Sequence, residues 1–77
     1  MQATQANIVV DVKQELSRQS GDELVRELGG TQGLSRAWLS PRARRLVLVD
    51  YDPTVINSRR ILDAALRRGF DARLIGM

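Results

Sequence analysis

Apolar residues in the first half of the chain alternate, then recur with helical spacing, then alternate again. Ile8, Val10 and Val12 share one face of a stretch rich in β-branched residues, which is typical of a strand. Leu24 and Leu28 lie about one helical turn apart in the next apolar segment. The pattern predicts three elements: a strand over Asn7–Val12, a helix over Ser20–Leu28 and a strand over Leu34–Ser40.

Capping residues indicate where the first helix begins and ends. Ser20 and Glu23 have the spacing of a capping box, in which each side chain accepts a hydrogen bond from a backbone N–H that the helix leaves unpaired. A start one turn earlier, at Ser17, stays open as an alternative. Gly29 and Gly30 are expected to end the helix, because glycine readily takes the left-handed conformation of a C-cap.

Turn residues divide the second half of the chain in the same way. Pro41 suits a hairpin tip, because proline has no N–H to donate to a strand ladder. Asn57 or Ser58 is expected to cap a second helix, which ends at Gly69. The remaining predictions are a hairpin tip over Pro41–Arg45, a strand over Leu46–Tyr51, a helix with the buried stripe Ile61, Leu62, Ala65 and Leu66, and a strand over Phe70–Ile75.

The order β-α-β-β-α-β predicts an α+β fold, the ferredoxin-like sandwich built from a split pair of βαβ units. Its sheet is expected to have four antiparallel strands in the order 4-1-3-2, with both helices on one face. Alternation assigns each strand residue to a face, because neighbouring side chains point in opposite directions. The residues expected beneath the helices are Ile8, Val10, Val12, Ala37, Leu39, Val47, Val49 and Tyr51. Those expected on the opposite surface, which we call the open face, include Val9, Arg36, Trp38, Leu46, Leu48 and Ile75.

Length and composition exclude several classes of protein. The chain has 77 residues, which suit a single small domain, expected over residues 7–77 after a flexible segment over residues 1–6. It has no cysteine and no histidine, which excludes thiolate metal sites, disulfides and a serine nucleophile activated by histidine. No secretory leader and no membrane insertion are expected, and the predicted location is the cytoplasm.

Several short motifs occur in a fixed order along the chain. They are Val12 closing the first strand, Leu24 and Leu28 on the first helix, Gly33-Leu34, Tyr51-Asp52-Pro53, Ile61, Ala65 and Gly69-Phe70. In this register the chain resembles the heavy-metal-associated (HMA) domain of small copper chaperones and of copper- and zinc-pumping ATPases. The family has Gly-Val, Tyr-Asp-Pro and Gly-Tyr at the corresponding places. The resemblance covers Ile8 to Ile75 and implies the same fold.

The chain departs from the family in the loop before the first helix. Counted from Val12, the glycine and methionine of the family motif Gly-Met-x-Cys-x-x-Cys fall on Gln14 and Glu15, and its two cysteines fall on Ser17 and Ser20. Soft Cu(I) is held by thiolates, whereas a neutral hydroxyl is a hard and weak ligand. The serines therefore argue against the family's metal site, and neither a metal nor a cofactor is expected.

Two interpretations of this loop stay open. Ser17 and Ser20 act as helix-capping residues in one. In the other they form a site for a harder metal together with an acidic neighbour, although such sites normally need several converging oxygen ligands. The acidic neighbours available for that site are Glu15, Asp22 and Glu23.

The open face indicates a different kind of function. Trp38 and the leucines form a sizeable apolar group, and such patches often mark interaction sites. We therefore expect a non-enzymatic HMA-like module that binds a protein partner, or forms a weak homodimer, through Val9, Arg36, Trp38, Leu46 and Leu48. The expected polar rim is Asp11, Arg36, Asp50, Asp71 and Arg73.

Two alternatives belong to other functional classes. One is a metal-handling protein with oxygen ligands or ligands donated by a partner. The other is a nucleic-acid-binding module, since the chain has eleven arginines and one lysine against nine acids, a net charge of +3. Modules with this strand order stack RNA bases on several strand aromatics. The open face offers only Trp38, which disfavours nucleic acid.

Overall fold

The computed structural model describes residues 5–13 and 16–76 and contains six elements in the predicted order. Residues 1–4 of the expected flexible segment lie outside the described part, and Ala6 already belongs to the first strand. The last strand starts at Ala72 and not at Phe70, because the Phe70 N–H donates to the Ala65 carbonyl (3.2 Å) at the end of the second helix. The elements are β1 (Ala6–Val12), α1 (Arg18–Gly29), β2 (Leu34–Leu39), β3 (Leu46–Tyr51), α2 (Ser58–Arg67) and β4 (Ala72–Gly76).

The strands form an antiparallel sheet in the order β2-β3-β1-β4. From the other edge this is 4-1-3-2, so the predicted topology is confirmed. Val9 lies opposite Leu48 of β3 and Ile75 of β4, and Leu48 lies opposite Trp38 of β2. One residue from every strand therefore stands in a single row across the sheet.

Both helices pack on the same face of this sheet. Leu24 and Leu28 of α1 and Ile61 and Ala65 of α2 belong to one buried cluster with the inward side chains of the strands. The predicted strand phases are confirmed: Ile8, Val10, Val12, Val47, Val49 and Tyr51 are buried in this cluster, and Ala37 and Leu39 pack against it. Within the described ranges, neither helix combines the length and the apolar run needed to cross a bilayer.

The stripe predicted for α2 is wrong at Leu66, and Leu62 is only half-buried and lies outside the core cluster. Ile61 and Ala65 are fully buried as expected, but Leu66 is 42% exposed, and Ala64 takes a place in the core at 7%. Successive helix residues are rotated by about 100°. The stripe is centred on Ile61, Ala64 and Ala65, so Leu66 falls beyond its edge.

Left-handed backbone occurs in turns and not at the end of α1. Among the described residues, Gly33 has φ +99° and Gly69 has φ +91°. Gly30 caps α1 with φ −85°, so the predicted left-handed cap there is wrong. A Cβ on Gly33 would also lie only 2.7 Å from Cγ2 of Ile56, so both the backbone angle and the available space require glycine before β2.

Candidate functional site

Ser17 is the N-cap of α1. Its Oγ accepts a hydrogen bond from the Ser20 N–H at 3.1 Å. The helix therefore begins at Arg18, which confirms the earlier of the two predicted starts. The predicted capping box of Ser20 with Glu23 is wrong, because Ser20 already lies inside the first turn. A capping serine contributes about 1 kcal/mol to stability.

Backbone contacts of the preceding residues explain this start. Leu16 is 4% exposed and belongs to the core, and its N–H donates to the Arg44 carbonyl at 3.3 Å. The Val12 N–H donates to the Arg45 carbonyl at 2.8 Å. The loop is thus tied to the hairpin between β2 and β3, and Ser17 is the next residue after the buried Leu16.

The loop lacks the features of a metal site as far as the structure describes it. Over residues 5–13 and 16–76, no three side chains of the types His, Cys, Asp and Glu come together in a way that could hold an ion. Asp22 and Glu23 are exposed on α1. Gln14 and Glu15, at the family's glycine and methionine positions, lie outside the described residues. The Ser17 hydroxyl is engaged in capping, which is a structural role.

The open face carries an apolar row that crosses all four strands. The row consists of Trp38, Leu48, Val9 and Ile75, in the order β2, β3, β1, β4. Trp38 and Leu48 are half-buried and Ile75 is 40% exposed. Val9 lies in the row but is only 8% exposed. The accessible apolar surface of the row therefore comes mainly from Trp38, Leu48 and Ile75.

Polar residues border the row on one side. The Arg36 guanidinium lies over the Trp38 ring, with Cζ 4.2 Å from the ring centroid, which is a cation–π contact. Asp50 lies opposite Arg36 in the register, and its Oδ1 accepts a hydrogen bond from the Asn7 side-chain amide. Arg36 is exposed, and its guanidinium covers one face of the Trp38 ring.

A buried carboxylate borders the row on the other side. Asp11 lies opposite Leu46 of β3 and Arg73 of β4, and it is only 3% exposed. Arg45 donates from Nε to Oδ1 at 3.0 Å and from Nη2 to Oδ2 at 3.3 Å. Arg73 donates from Nε to Oδ2 at 3.2 Å. Asp11 was expected on a polar rim, and it is instead covered by these two arginines.

The Asp11 cluster was not predicted, although the sequence contains a signal for it. Asp11 is a single acid in a run of valines, where an unpaired charge would be costly. Its partners Arg45 and Arg73 lie 34 and 62 positions away, so only the folded sheet brings them together.

Acid is expected to weaken the fold through Asp11. Hydrogen bonds from Arg45 lower the pKa of Asp11 below its ordinary value of 3.8, against the effect of burial, and the Arg73 hydrogen bond lowers it further. A carboxylate with a lowered pKa contributes stability that is fully present above the unfolded-state pKa and is lost as the pH falls through the folded-state value. Urea unfolding between pH 7 and pH 3 should therefore show Asp11→Asn losing less stability on acidification, below about pH 4, than the wild type.

The control for this experiment is Asp22→Asn, the same substitution at an exposed position of α1. It should follow the wild-type acid dependence closely. Equal slopes for wild type, Asp11→Asn and Asp22→Asn would show that the Asp11 cluster does not couple folding to pH.

Comparison with known proteins supports the fold. No family model and no curated protein matches the sequence. Oxidized MerP from Ralstonia metallidurans CH34 matches in structure with a TM-score of 0.82 at 11% identity, over 92% of this chain and 97% of that one. A copper binding domain from HMA7, a P-type ATPase, matches with a TM-score of 0.82 at 18% identity, over 92% and 95% of the two chains.

A third matching structure is a longer chain, of which only about half is matched. The N-terminal soluble domains of Bacillus subtilis CopA match with a TM-score of 0.79 at 18% identity, over 92% of this chain and 48% of that one. Identities this low show the fold alone. The fold that the motif register implied is confirmed by these structures. The chain therefore has the HMA-like fold of MerP and of the copper-binding ATPase domains, but it contains no cysteine.

Proposed function

We propose that this protein is a non-enzymatic module that binds another protein chain through the open face, and that its loop no longer binds soft metals. The observation that carries the proposal is the apolar row of Trp38, Leu48, Val9 and Ile75, which reaches from one edge of the sheet to the other. Both helices pack on the opposite face, and within the described chain Trp38, Leu48 and Ile75 of the row keep accessible surface on the open face.

The composition of the row suits a protein interface. Tryptophan and arginine are the side chains most often found where binding energy concentrates, and here Arg36 stacks on Trp38. Burying apolar surface contributes roughly 25 cal/mol per Å², before the costs of association are subtracted. Three accessible apolar side chains on this scale are compatible with a weak or transient complex.

The loop residues are compatible with this proposal. Among the structures with this fold, the HMA7 domain is described as copper binding. Here Ser17 and Ser20 stand at the family's cysteine positions, and Ser17 caps α1. A metal-handling function with oxygen ligands remains the second candidate, and no converging ligand group within residues 5–13 and 16–76 favours it.

Replacing Trp38 with alanine is expected to weaken association through the open face by about 2 kcal/mol or more, which is about 30-fold. The test is a pull-down from the source organism combined with NMR chemical-shift mapping, in a concentration series and with any captured partner. Shifts in the wild type should centre on residues 36–38, 46–50 and 75. The matched control is Leu66→Ala, which trims an exposed apolar side chain on α2 and should leave association unchanged.

The NMR map also shows how the proposal would fail. Perturbations confined to residues 17–23, with Trp38 and Leu48 silent, would place binding at the loop and would contradict the proposal.

A further inference from the structure

Two acids of the open face, Asp11 and Asp50, are buried or half-buried, whereas the arginines beside them are more exposed. Asp11 is 3% exposed beneath Arg45 and Arg73, whose side chains are 46% and 73% exposed. Asp50 is half-buried and accepts from Asn7, whereas Arg36 is exposed. Lys13 lies 3.7 Å from the exposed Asp71 at the rim, so four basic side chains stand against three acids, an excess of one positive charge.

The exposed arginines also have a defined position relative to the apolar row. Arg36 precedes Trp38 by two positions on β2, and Arg73 precedes Ile75 by two positions on β4. The register places Arg36 beside Asp50 on one side of the row and Arg73 beside Asp11 on the other. Arg36 therefore lies beside the Trp38 end of the row and Arg73 beside the Ile75 end, on different sides of the row.

The row matches a short helix in length. Neighbouring strands lie about 4.8 Å apart, so four strands span roughly 14 Å between the outer two. A helix rises about 1.5 Å per residue, so about ten residues cover this distance. Such a helix can lay an apolar stripe along the row and place acidic side chains beside Arg36 and Arg73.

We propose that the occupant of the open face is an acidic amphipathic segment of another protein. This inference rests on the proposed function and names the chemistry of the partner. A second copy of the chain presents the same excess of positive charge, so charge repulsion opposes a face-to-face homodimer. RNA is also acidic, but three of the four residues in the row are aliphatic and offer no ring on which a base can stack.

The test uses Trp38, the only tryptophan of the chain, as a fluorescent reporter on the open face itself. A randomised library of peptides of about twelve residues is selected against the full chain, and the selected peptides are titrated while Trp38 emission is followed. We expect selected peptides to combine Leu or Phe with an excess of Asp and Glu. Their affinity should fall at least about tenfold between roughly 0.05 and 0.5 M salt, because exposed charge pairs are screened.

Arginine-to-glutamine variants test whether the charge dependence of peptide binding comes from the open face. Arg36→Gln combined with Arg73→Gln should weaken peptide binding by about tenfold or more. The matched control is Arg60→Gln combined with Arg67→Gln, which removes the same charge from exposed positions of α2 and should change binding less than about twofold. Circular dichroism and thermal unfolding of each variant check that the fold is retained.

The possible failures separate the two proposals. Peptides that bind the open face without an acidic excess, or equally well to both double variants, overturn this inference and leave the proposed function standing. A homodimer that forms through this face and excludes the peptides also overturns this inference and leaves the proposed function standing. If oligouridine binds the face more tightly than any peptide, or if neither peptide binding nor self-association perturbs Trp38, both proposals fail.

Discussion

Replacing Ser17 and Ser20 together with cysteine is expected to create a Cu(I) site that the wild type lacks. Both residues lie at the start of α1, where the Ser17 Oγ lies 3.1 Å from the backbone nitrogen of Ser20. Soft Cu(I) prefers a pair of thiolates to hydroxyls. The wild type should bind Cu(I) more weakly than about 1 μM, and the double variant at least about a thousandfold more tightly, a gain of about 4 kcal/mol.

The measurement is a Cu(I) titration against a competing chelator under reducing conditions. The single variants Ser17→Cys and Ser20→Cys supply one thiol each and serve as controls, because one sulfur does not make the paired site. Losing the Ser17 cap costs about 1 kcal/mol of stability, so thermal unfolding is followed in parallel. A tight stoichiometric complex of the wild type would refute the loss of metal binding. A double variant no better than either single would show that the loop no longer positions the two side chains together.

Truncating Leu24 to alanine is expected to remove a large share of the folding free energy. Leu24 is fully buried between the helices and the sheet. Leu→Ala changes in a core cost about 2–5 kcal/mol, through lost burial and the cavity left behind. Small domains are stable by only about 5–15 kcal/mol in total, so a measurable unfolded population should appear. Urea unfolding of the wild type and the variant measures the difference.

Leu66→Ala is the control, since it is the same substitution on the other helix. Leu66 is 42% exposed, and its loss should cost less than about 1 kcal/mol. Similar costs at the two positions would mean that Leu66 belongs to the core, as the helical pattern alone predicted, and that the described packing of α2 is wrong.

The strand phases could be predicted because they depend on local geometry alone. Side chains alternate along any strand, so placing Val47 and Val49 beneath the helices forces Leu46 and Leu48 onto the open face. Ala37 packs against the core, so by the same rule its neighbour Trp38 lies on the open face. The strand order followed from the sequence of elements, since few topologies satisfy that pattern.

The sequence predicted two possible starts for α1, and there is a physical reason why it could not choose between them. Ser17 and Ser20 are equally good N-cap residues, so propensity does not choose between them. The choice depends on Leu16, which enters the core and ties the loop to the Arg44 carbonyl of a distant hairpin. Similarly, Leu66 has helical spacing with Leu62, and only the packing of α2 through Ile61, Ala64 and Ala65 leaves Leu66 exposed.

The sequence by itself thus determined the elements, the two faces of the sheet, the apolar residues of the open face and the absence of thiolate chemistry, because each depends on residue type or on spacing along one element. Only the tertiary structure decided which charged side chains of the open face are buried and which are exposed. Asp11 looks like a rim residue in the sequence, yet Arg45 and Arg73 arrive from 34 and 62 positions away and cover it. That arrangement leaves guanidinium groups as the outer charges above Asp11, because the fold brings Arg45 and Arg73, distant in sequence, onto its carboxylate.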